Sequence, residues 1–238
     1  MARFSTPLAA ILAVALAAWG TASAAPHQLH YLSAEELAPA SVLPPPPAPG
    51  SVLEKAELGA LHAIVAASTP ERLDQARWDQ EHEDPGLFDR TLGIELEKLP
   101  ATWALLMAVR EEAAAAAAAG KAHFHRMRPW GVDPTLPSCE HAPEHQPTNS
   151  YPSGHAILGY SAGYVLARLL PGRASDILGR AADYGYSREV CGVHFPSDIE
   201  ASHALGTLVA AKLLANPAFR AKFDAARLEL ARAHLAGT

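Results

Sequence analysis

The sequence predicts an all-α protein, and three observations support that fold class. Alanine, the strongest helix former, is abundant and runs unbroken from Ala113 to Ala119. Apolar residues recur at helical spacing, for example at Leu58, Leu61 and Val65. No stretch shows the alternation of apolar and polar residues that is typical of a half-buried strand. A chain of 238 residues is long enough to bury the core of a single domain of this kind.

The first segment, residues 1–24, has the pattern of a secretory signal peptide. Arg3 supplies the positive start, Leu8 to Trp19 the apolar run, and Ala22 to Ala24 a small-residue cleavage site. A membrane anchor is the alternative, but the apolar run is short for a spanning helix. We therefore expect an exported, periplasmic protein with no membrane segment in its mature form.

Residues 25–50 form a proline-rich N-terminal arm that ends in four consecutive prolines and Ala48-Pro49-Gly50. Consecutive prolines lack backbone donors and favour an extended polyproline conformation. We expect an arm that lies on the body of the protein or on a partner subunit. Simple disorder is the alternative.

The chain contains two cysteines, Cys139 and Cys191. An even count in an oxidising compartment makes one disulfide the default expectation. Two free, buried thiols are the alternative, because the sequence does not show that the sulfur atoms meet.

Residues 51–238 are predicted to form the helical domain, and helix start and stop signals divide it. Thr69-Pro70-Glu71 is a start signal, with a capping hydroxyl, a proline at the first helical position and an acid in the first turn. Pro171-Gly172 and Asn216-Pro217 are stop signals. The remaining patterns predict helices over 101–119, 157–170, 174–185, 199–214 and 218–233.

The first of three stretches that suggest chemistry is Lys121 to Pro129. Seven residues are close to two helical turns, so Lys121 and Arg128 share a face if the helix continues past Gly120. Pro129 then ends the helix, because the residue before a proline resists helical conformation. Two cations on one face can bind a dianion, although a solvated basic face is the simpler interpretation of this stretch alone.

The second stretch, Pro152 to His155, precedes an apolar helix. The start of a helix exposes unpaired N–H groups and the positive end of its dipole, which favours anion binding. Ser153 adds a hydroxyl, and Gly154 lets an oxyanion approach the backbone closely. A capped helix with an ordinary histidine at position 155 is an equally good interpretation of this stretch in isolation.

The third stretch contains Arg188, His194 and Asp198. The guanidinium of Arg188 offers a planar fork of donors suited to phosphate. His194 and Asp198 lie four residues apart, so the carboxylate can accept the N–H of one ring nitrogen and leave the other as a nucleophile. The alternative is a helix cap, with Asp198 at the positive end of the dipole.

In this order, Lys-x6-Arg-Pro, Pro-Ser-Gly-His and Ser-Arg-x5-His-x3-Asp resemble the signature of the type 2 phosphatidic acid phosphatase superfamily. Within it, the proline-rich arm, the run at 150–155 and the run at 191–198 are similar to the class A bacterial non-specific acid phosphatases. The resemblance covers nearly all of the mature chain, and its motifs lie within residues 121–198. It implies a single-domain helical bundle of the acid phosphatase/vanadium haloperoxidase type.

The resemblance also implies a function for each motif residue. The groups implied to bind the phosphoryl oxygens are Lys121, Arg128, Ser153, the backbone N–H of Gly154, and Arg188. His194 would attack phosphorus and become a phosphohistidine, and Asp198 would orient it. His155 would protonate the leaving oxygen and then activate water. If His155 must be charged, an acidic pH optimum follows.

The expected enzyme hydrolyses small phosphomonoesters, including nucleotides, needs no cofactor, and has a phosphotransferase side activity. The resemblance and the arm suggest a homodimer. The net charge of −6 without a basic tail argues against a nucleic-acid polymer as partner.

Four other functions fit parts of the sequence less well. A metal-dependent hydrolase would use His123, His125, Cys139, His141 or His145, but neither cluster forms a complete ligand set. A vanadium-dependent haloperoxidase shares the three stretches, although such chains are usually much longer. A phosphate-binding protein would gain nothing from pairing His194 with Asp198, and a lipid phosphatase is disfavoured by the lack of spanning helices.

Overall fold

A computed structural model of the chain describes residues 27–139 and 147–233, and these residues contain helices and no strand. The predicted all-α class is confirmed. The α-helices are α1 Pro39–Val42, α2 Val52–Ala67, α3 Pro70–Glu81, α4 Asp89–Leu92, α5 Pro100–Phe124, α6 Pro129–Val132, α7 Gly154–Leu169, α8 Ala174–Val190, α9 Pro196–Ala215 and α10 Pro217–Arg232. Short 3₁₀ turns lie at Pro85–Phe88, Leu96–Lys98 and Pro171–Arg173.

The helices begin where local capping signals stand. The hydroxyl of Thr69 accepts the N–H of Arg72, so α3 starts as its sequence predicts. The side chain of Asn216 accepts the N–H groups of Ala218 and Phe219 and restarts the chain as α10. The predicted end of the 174–185 helix is wrong, because α8 continues to Val190 and carries Arg188 in its last turn.

The core is centred on α7, which packs against α5, α8 and α9. Gly159 and Gly206 make the close contacts possible. A Cβ at Gly159 would lie 2.9 Å from the ring of Tyr184, and one at Gly206 would lie 2.8 Å from the carbonyl oxygen of Ile157. Neither site has room for a side chain, so these glycines fix α7 tightly between its neighbours.

The described part of the N-terminal arm lies on the body of its own chain. The buried carboxylate of Glu112 on α5 accepts the N–H groups of His30 and Tyr31 at 2.6 and 2.9 Å. The hydroxyl of Tyr151 donates to the carbonyl oxygen of Pro44 at 2.7 Å. The arm also contains α1, which the sequence did not predict.

The predicted disulfide is present between Cys139 and Cys191, whose Cα atoms are 4.8 Å apart. It joins the segment after α6 to the end of α8, directly before His194. The predicted signal peptide, residues 1–24, lies outside the described residues, as do His141 and His145. None of the helices in the described ranges is both long and apolar enough to cross a bilayer.

Candidate active site

The motif residues meet because of the order in which the helices run. α7 and α8 are joined by a short turn and pack as an antiparallel pair, so the start of α7 lies beside the end of α8. The start of α9 and the last turn of α5 come to the same end of the bundle. Lys121 and Arg188 lie in the last turns of α5 and α8, where the negative end of the helix dipole favours a cation. The two cations therefore lie at the same end of the bundle as the starts of α7 and α9.

His194 and Asp198 are in contact and both are buried. Nδ1 of His194 lies 3.4 Å from Oδ2 of Asp198. The pair forms at the start of α9, not within it, because Phe195 caps the helix and its N–H donates to the same Oδ2 at 2.8 Å. The predicted pairing of these two residues is therefore found in the structure.

Asp198 is held by further donors that the sequence analysis missed. Arg126 donates to Oδ1 at 2.6 Å, and the hydroxyl of Ser150 donates to Oδ2 at 2.6 Å. The other end of the Arg126 guanidinium donates to Glu57 at 2.8 Å. Burial raises the pKa of Asp198 to about 6, while Arg126 acts in the opposite direction.

The second ring nitrogen of His194 faces a cation. Nη1 of Arg128 lies 3.2 Å from Nε2 of His194, and a guanidinium can only donate, so Nε2 must accept. The proton of a neutral ring then lies on Nδ1, toward Asp198. Burial, followed by the charges of Arg128 and Arg188, lowers the pKa of His194 well below its usual value. The geometry and the charges thus favour a neutral imidazole with a lone pair on Nε2.

Arg128 reaches the site by a path that differs from the prediction. α5 continues past Gly120 as expected but ends at Phe124, with His125 in the left-handed conformation at φ 49°. Arg128 is therefore not on the helix that carries Lys121. Its backbone is extended, and Nη1 also donates to the carbonyl oxygen of Val193 at 3.1 Å.

Ser153 and Gly154 form the start of α7, as the sequence predicts. The hydroxyl of Ser153 caps the helix by accepting the N–H of Ala156, and its own N–H donates to Ser202 at 2.8 Å. A Cβ built on Gly154 would lie 3.6 Å from Nζ of Lys121. The first turn of α7 and the ammonium group therefore adjoin each other.

His155 follows on α7 and stands between a carbonyl and a carboxylate. Its Nε2 lies 3.0 Å from the carbonyl oxygen of Gln80, and its Nδ1 lies 3.6 Å from Oε1 of Glu83. Burial and then the charge of Arg188 lower the pKa of His155 well below its usual value, with smaller effects of Lys121 and Arg128 in the same direction.

Lys121, Arg128 and Arg188 converge, since each of them lowers the pKa of both histidines. Arg188 is almost completely buried, and its Nη1 lies 3.4 Å from Oε1 of Gln80. The structure thus brings together two histidines, one carboxylate, three cations and a helix start. Gln80, Glu83 and Arg126 were missed because their function depends on tertiary contacts and no local motif marks them.

The site opens into a cavity of about 600 Å³. The lining residues include His27, Glu83, Lys121, His125, Thr148, Asn149 and Gly154. His125 lies at this opening, whereas His123 packs its ring edge-on against Phe124 at 4.6 Å. Within residues 27–139 and 147–233, no group of three or more His, Cys, Asp or Glu side chains is placed to hold a metal ion.

Comparison with known proteins matches residues 100–221 to the PAP2 superfamily. An acid phosphatase from Zymomonas mobilis is 37% identical over 115 residues, which are 48% of this chain and 43% of the relative. A non-specific acid phosphatase from Providencia stuartii is 28% identical over 86% of each chain. A further one from Salmonella typhimurium is 31% identical over 65% of this chain and 66% of its own. The relatives from Zymomonas mobilis and Salmonella typhimurium are thus matched over less than two thirds of their own length.

One solved structure has a similar fold. The crystal structure of a transmembrane PAP2-type phosphatidylglycerolphosphate phosphatase from Bacillus subtilis aligns with a TM-score of 0.52. The alignment covers 68% of this chain and 85% of that one, at 20% sequence identity. At that identity the likeness concerns the fold alone.

Proposed function

The chain belongs to the PAP2 superfamily, and we propose that it is an acid phosphatase that hydrolyses phosphomonoesters through a phosphohistidine at His194. The observation that carries the proposal is the arrangement of the His194 ring. Nδ1 faces a buried carboxylate, while Nε2 accepts from Arg128 at the place where three cations converge. This arrangement supports a nucleophile directed at a bound phosphate.

The binding step uses charge. Lys121, Arg128 and Arg188 surround the phosphoryl group. The start of α7 supplies the hydroxyl of Ser153, the N–H of Gly154 and the positive end of a dipole. Phosphoryl transfer spreads negative charge over the equatorial oxygens, so fixed cations there stabilise the transition state.

The first chemical step transfers the phosphoryl group to the enzyme. The lone pair on Nε2 of His194 forms a P–N bond while the bond from phosphorus to the ester oxygen breaks. His155 gives its proton to the leaving oxygen, and the negative charge of Asp198 stabilises the cationic phosphohistidine.

The second step reverses these proton movements. His155, now neutral, takes a proton from water as the water oxygen attacks phosphorus and the P–N bond breaks. Inorganic phosphate leaves, and both histidines return to their starting states. An alcohol in place of water would give the phosphotransferase side activity.

The substrates that we propose are small phosphomonoesters, nucleotides included, because the relatives are named non-specific acid phosphatases and the cavity outside the site is open. We also propose export to the periplasm and a homodimer, which rest on the sequence pattern and the family resemblance.

The test is a panel of phosphomonoesters assayed with and without chelator on the wild type, His194→Ala and His203→Ala. His203 is an exposed histidine whose ring stacks on Tyr160, which makes it the matched control. We expect His194→Ala to lose at least about a thousandfold in kcat, as removal of a nucleophile does. We expect the His203→Ala change and the chelator to alter kcat only slightly. Unchanged turnover in His194→Ala would show that the mechanism is wrong.

A further inference from the structure

The segment after α3 places a carboxylate at the opening of the site. Glu83 lies two residues beyond the end of α3, and its side chain is 48% exposed. The hydroxyl of Tyr184 on α8 donates to the carbonyl oxygen of His82 at 2.8 Å, and Nε of Arg110 on α5 donates to that of Glu83 at 2.7 Å. Two helices therefore fix the backbone that carries Glu83.

The carboxylate of Glu83 points at the start of α7. Oε1 is 3.6 Å from Nδ1 of His155 and would be 3.4 Å from a Cβ on Gly154. It therefore stands beside the proposed general acid and next to the group that receives the phosphate. Two anions repel each other, so a carboxylate at this position weakens phosphate binding. A favourable function of Glu83 must therefore come from its contact with another part of the substrate.

That other part is the leaving group. In an in-line displacement the leaving oxygen lies opposite the attacking Nε2 of His194, and it must be close to His155 to receive a proton. The alcohol beyond that oxygen then enters the cavity of about 600 Å³. Among the described residues that line this cavity, Glu83 is the only carboxylate, and Lys121 is engaged at the phosphate.

We propose that Glu83 selects substrates by the charge of their leaving group, an inference that rests on the proposed phosphatase activity. The carboxylate favours esters of alcohols that carry a positive charge, such as amino alcohols, and disfavours esters of alcohols that carry a second anion. A unit charge about 6 Å away at a partly solvated site changes an equilibrium by about tenfold. A switch from a cationic to an anionic leaving group therefore changes kcat/KM by up to about a hundredfold.

The charged groups around His155 affect the rate with every substrate, so the measurement must separate their effect from the selection by Glu83. The charged and titratable groups facing its ring are Arg188, Lys121, Arg128, His194, Glu83 and the hydroxyl-bearing ring of Tyr184 at 5.8 Å. Any effect of the Glu83 charge on the protonation of His155 is the same for every substrate. A ratio of kcat/KM values at one pH cancels that common effect and isolates the contribution of the leaving group.

The experiment compares phosphoethanolamine, glycerol 3-phosphate and 3-phosphoglycerate, which differ in having a cationic, a neutral and an anionic leaving group. It uses the wild type, Glu83→Gln, Glu83→Lys and the matched control Glu81→Gln, which removes an exposed charge at the end of α3. We expect the ratio of kcat/KM for phosphoethanolamine over 3-phosphoglycerate to fall about tenfold or more in Glu83→Gln. It should invert in Glu83→Lys and stay within about twofold of wild type in Glu81→Gln.

The other possible results distinguish failure of the Glu83 inference from failure of the proposed phosphatase activity. Active Glu83 variants with an unchanged ratio overturn the inference and leave the phosphatase proposal standing. An equal fall in Glu81→Gln also overturns it, because the effect is then a general field and not a contact at the opening. If the wild type hydrolyses none of the esters, the proposed function itself fails and the inference fails with it.

Discussion

At the scale of single residues, Arg126 is the cation that opposes the neutralisation of the buried carboxylate beside His194. Its guanidinium links Asp198 on α9 to Glu57 on α2, and its face lies 3.9 Å from the ring centroid of Phe195. Burial alone would favour a neutral Asp198, whereas Arg126 and Ser150 favour the ionised form that His194 needs. The three charges thus form a buried network in which each acid depends on the same cation.

In the proposed mechanism, the two histidines set the pH dependence of the reaction. His155 must carry a proton, and its pKa is lowered by burial and by Arg188, so kcat/KM should decline as pH rises above that low pKa. The pKa of His194 is also lowered, by burial and then by Arg128, so the nucleophile stays neutral in mildly acidic solution. Both histidine shifts move the active range toward acid. Burial raises the pKa of Asp198 to about 6, which limits that range on the acid side because His194 needs the ionised carboxylate.

Bound phosphate should widen that range. Its negative charge offsets the three cations that lower the pKa of His155, so the basic limb of kcat should lie at higher pH than the basic limb of kcat/KM. Both parameters are measured with one phosphomonoester from acidic to alkaline pH. Rates that climb steadily into alkali, or two limbs that coincide, would contradict the assignment of His155 as general acid.

At the scale of helices, the C-terminal end of α3 supports the site without belonging to any motif. Asp79 is completely buried and accepts from Arg180 and from the hydroxyl of Ser187, both on α8. The next residue, Gln80, contacts His155 through its carbonyl oxygen and Arg188 through its side chain. The ion pair between Asp79 and Arg180 therefore fixes the end of α3 against α8. Gln80, the next residue of α3, is thereby placed in contact with His155 and Arg188.

Asp79→Ala should destabilise the protein and slow the reaction. The change leaves Arg180 without its buried partner, and breaking a buried pair costs about 3–5 kcal/mol of unfolding free energy. We also expect kcat to fall, because Gln80 is no longer held against α8. Urea unfolding and steady-state kinetics measure the two effects. The control is Asp74→Ala on the same helix, an exposed acid paired only with Arg77. Equal unfolding midpoints for the two variants would refute this function of Asp79.

The contrast between α3 and the motifs shows what the sequence can predict here. Ser153, Arg188 and Asp198 lie at helix ends, where capping residues, dipoles and fixed spacing give local signals. Arg128 was predicted as a phosphate ligand, but on a helix that in fact ends earlier, at Phe124. Arg126 and Gln80 have no local signal, because their partners lie 72 and 108 residues away in the chain.

At the scale of the whole molecule, the proposed site residues gather at one end of the bundle because antiparallel packing brings the start of one helix beside the end of the next. The starts of α7 and α9 and the last turns of α5 and α8 meet there. Positive dipole ends face the proposed phosphate site from α7 and α9, while Lys121 and Arg188 offset the negative ends of α5 and α8. The fold as a whole thus concentrates positive potential at that end.

The disulfide closes this end of the bundle. Cys139 and Cys191 are 52 residues apart, and the loop between them contains all of α7 and all of α8. Closing a loop of that length removes chain entropy from the unfolded state equivalent to about 4 kcal/mol. Cys191 also precedes His194 by three residues, and the N–H of Cys139 donates to its carbonyl oxygen at 2.9 Å. The bond therefore stabilises both the fold and the turn that carries His194.

The paired change Cys139→Ser and Cys191→Ser should lower the unfolding free energy by about 4 kcal/mol, and a reductant should lower it similarly in the wild type. The backbone hydrogen bond between the two positions remains, so we expect kcat in the folded variant to fall by less than about tenfold. Urea titrations with and without reductant measure the stability, and the double variant serves as the control that a reductant cannot affect further. A wild-type midpoint that does not move on reduction would contradict this effect of the disulfide, because the unfolded chain would then be equally restricted without the covalent link.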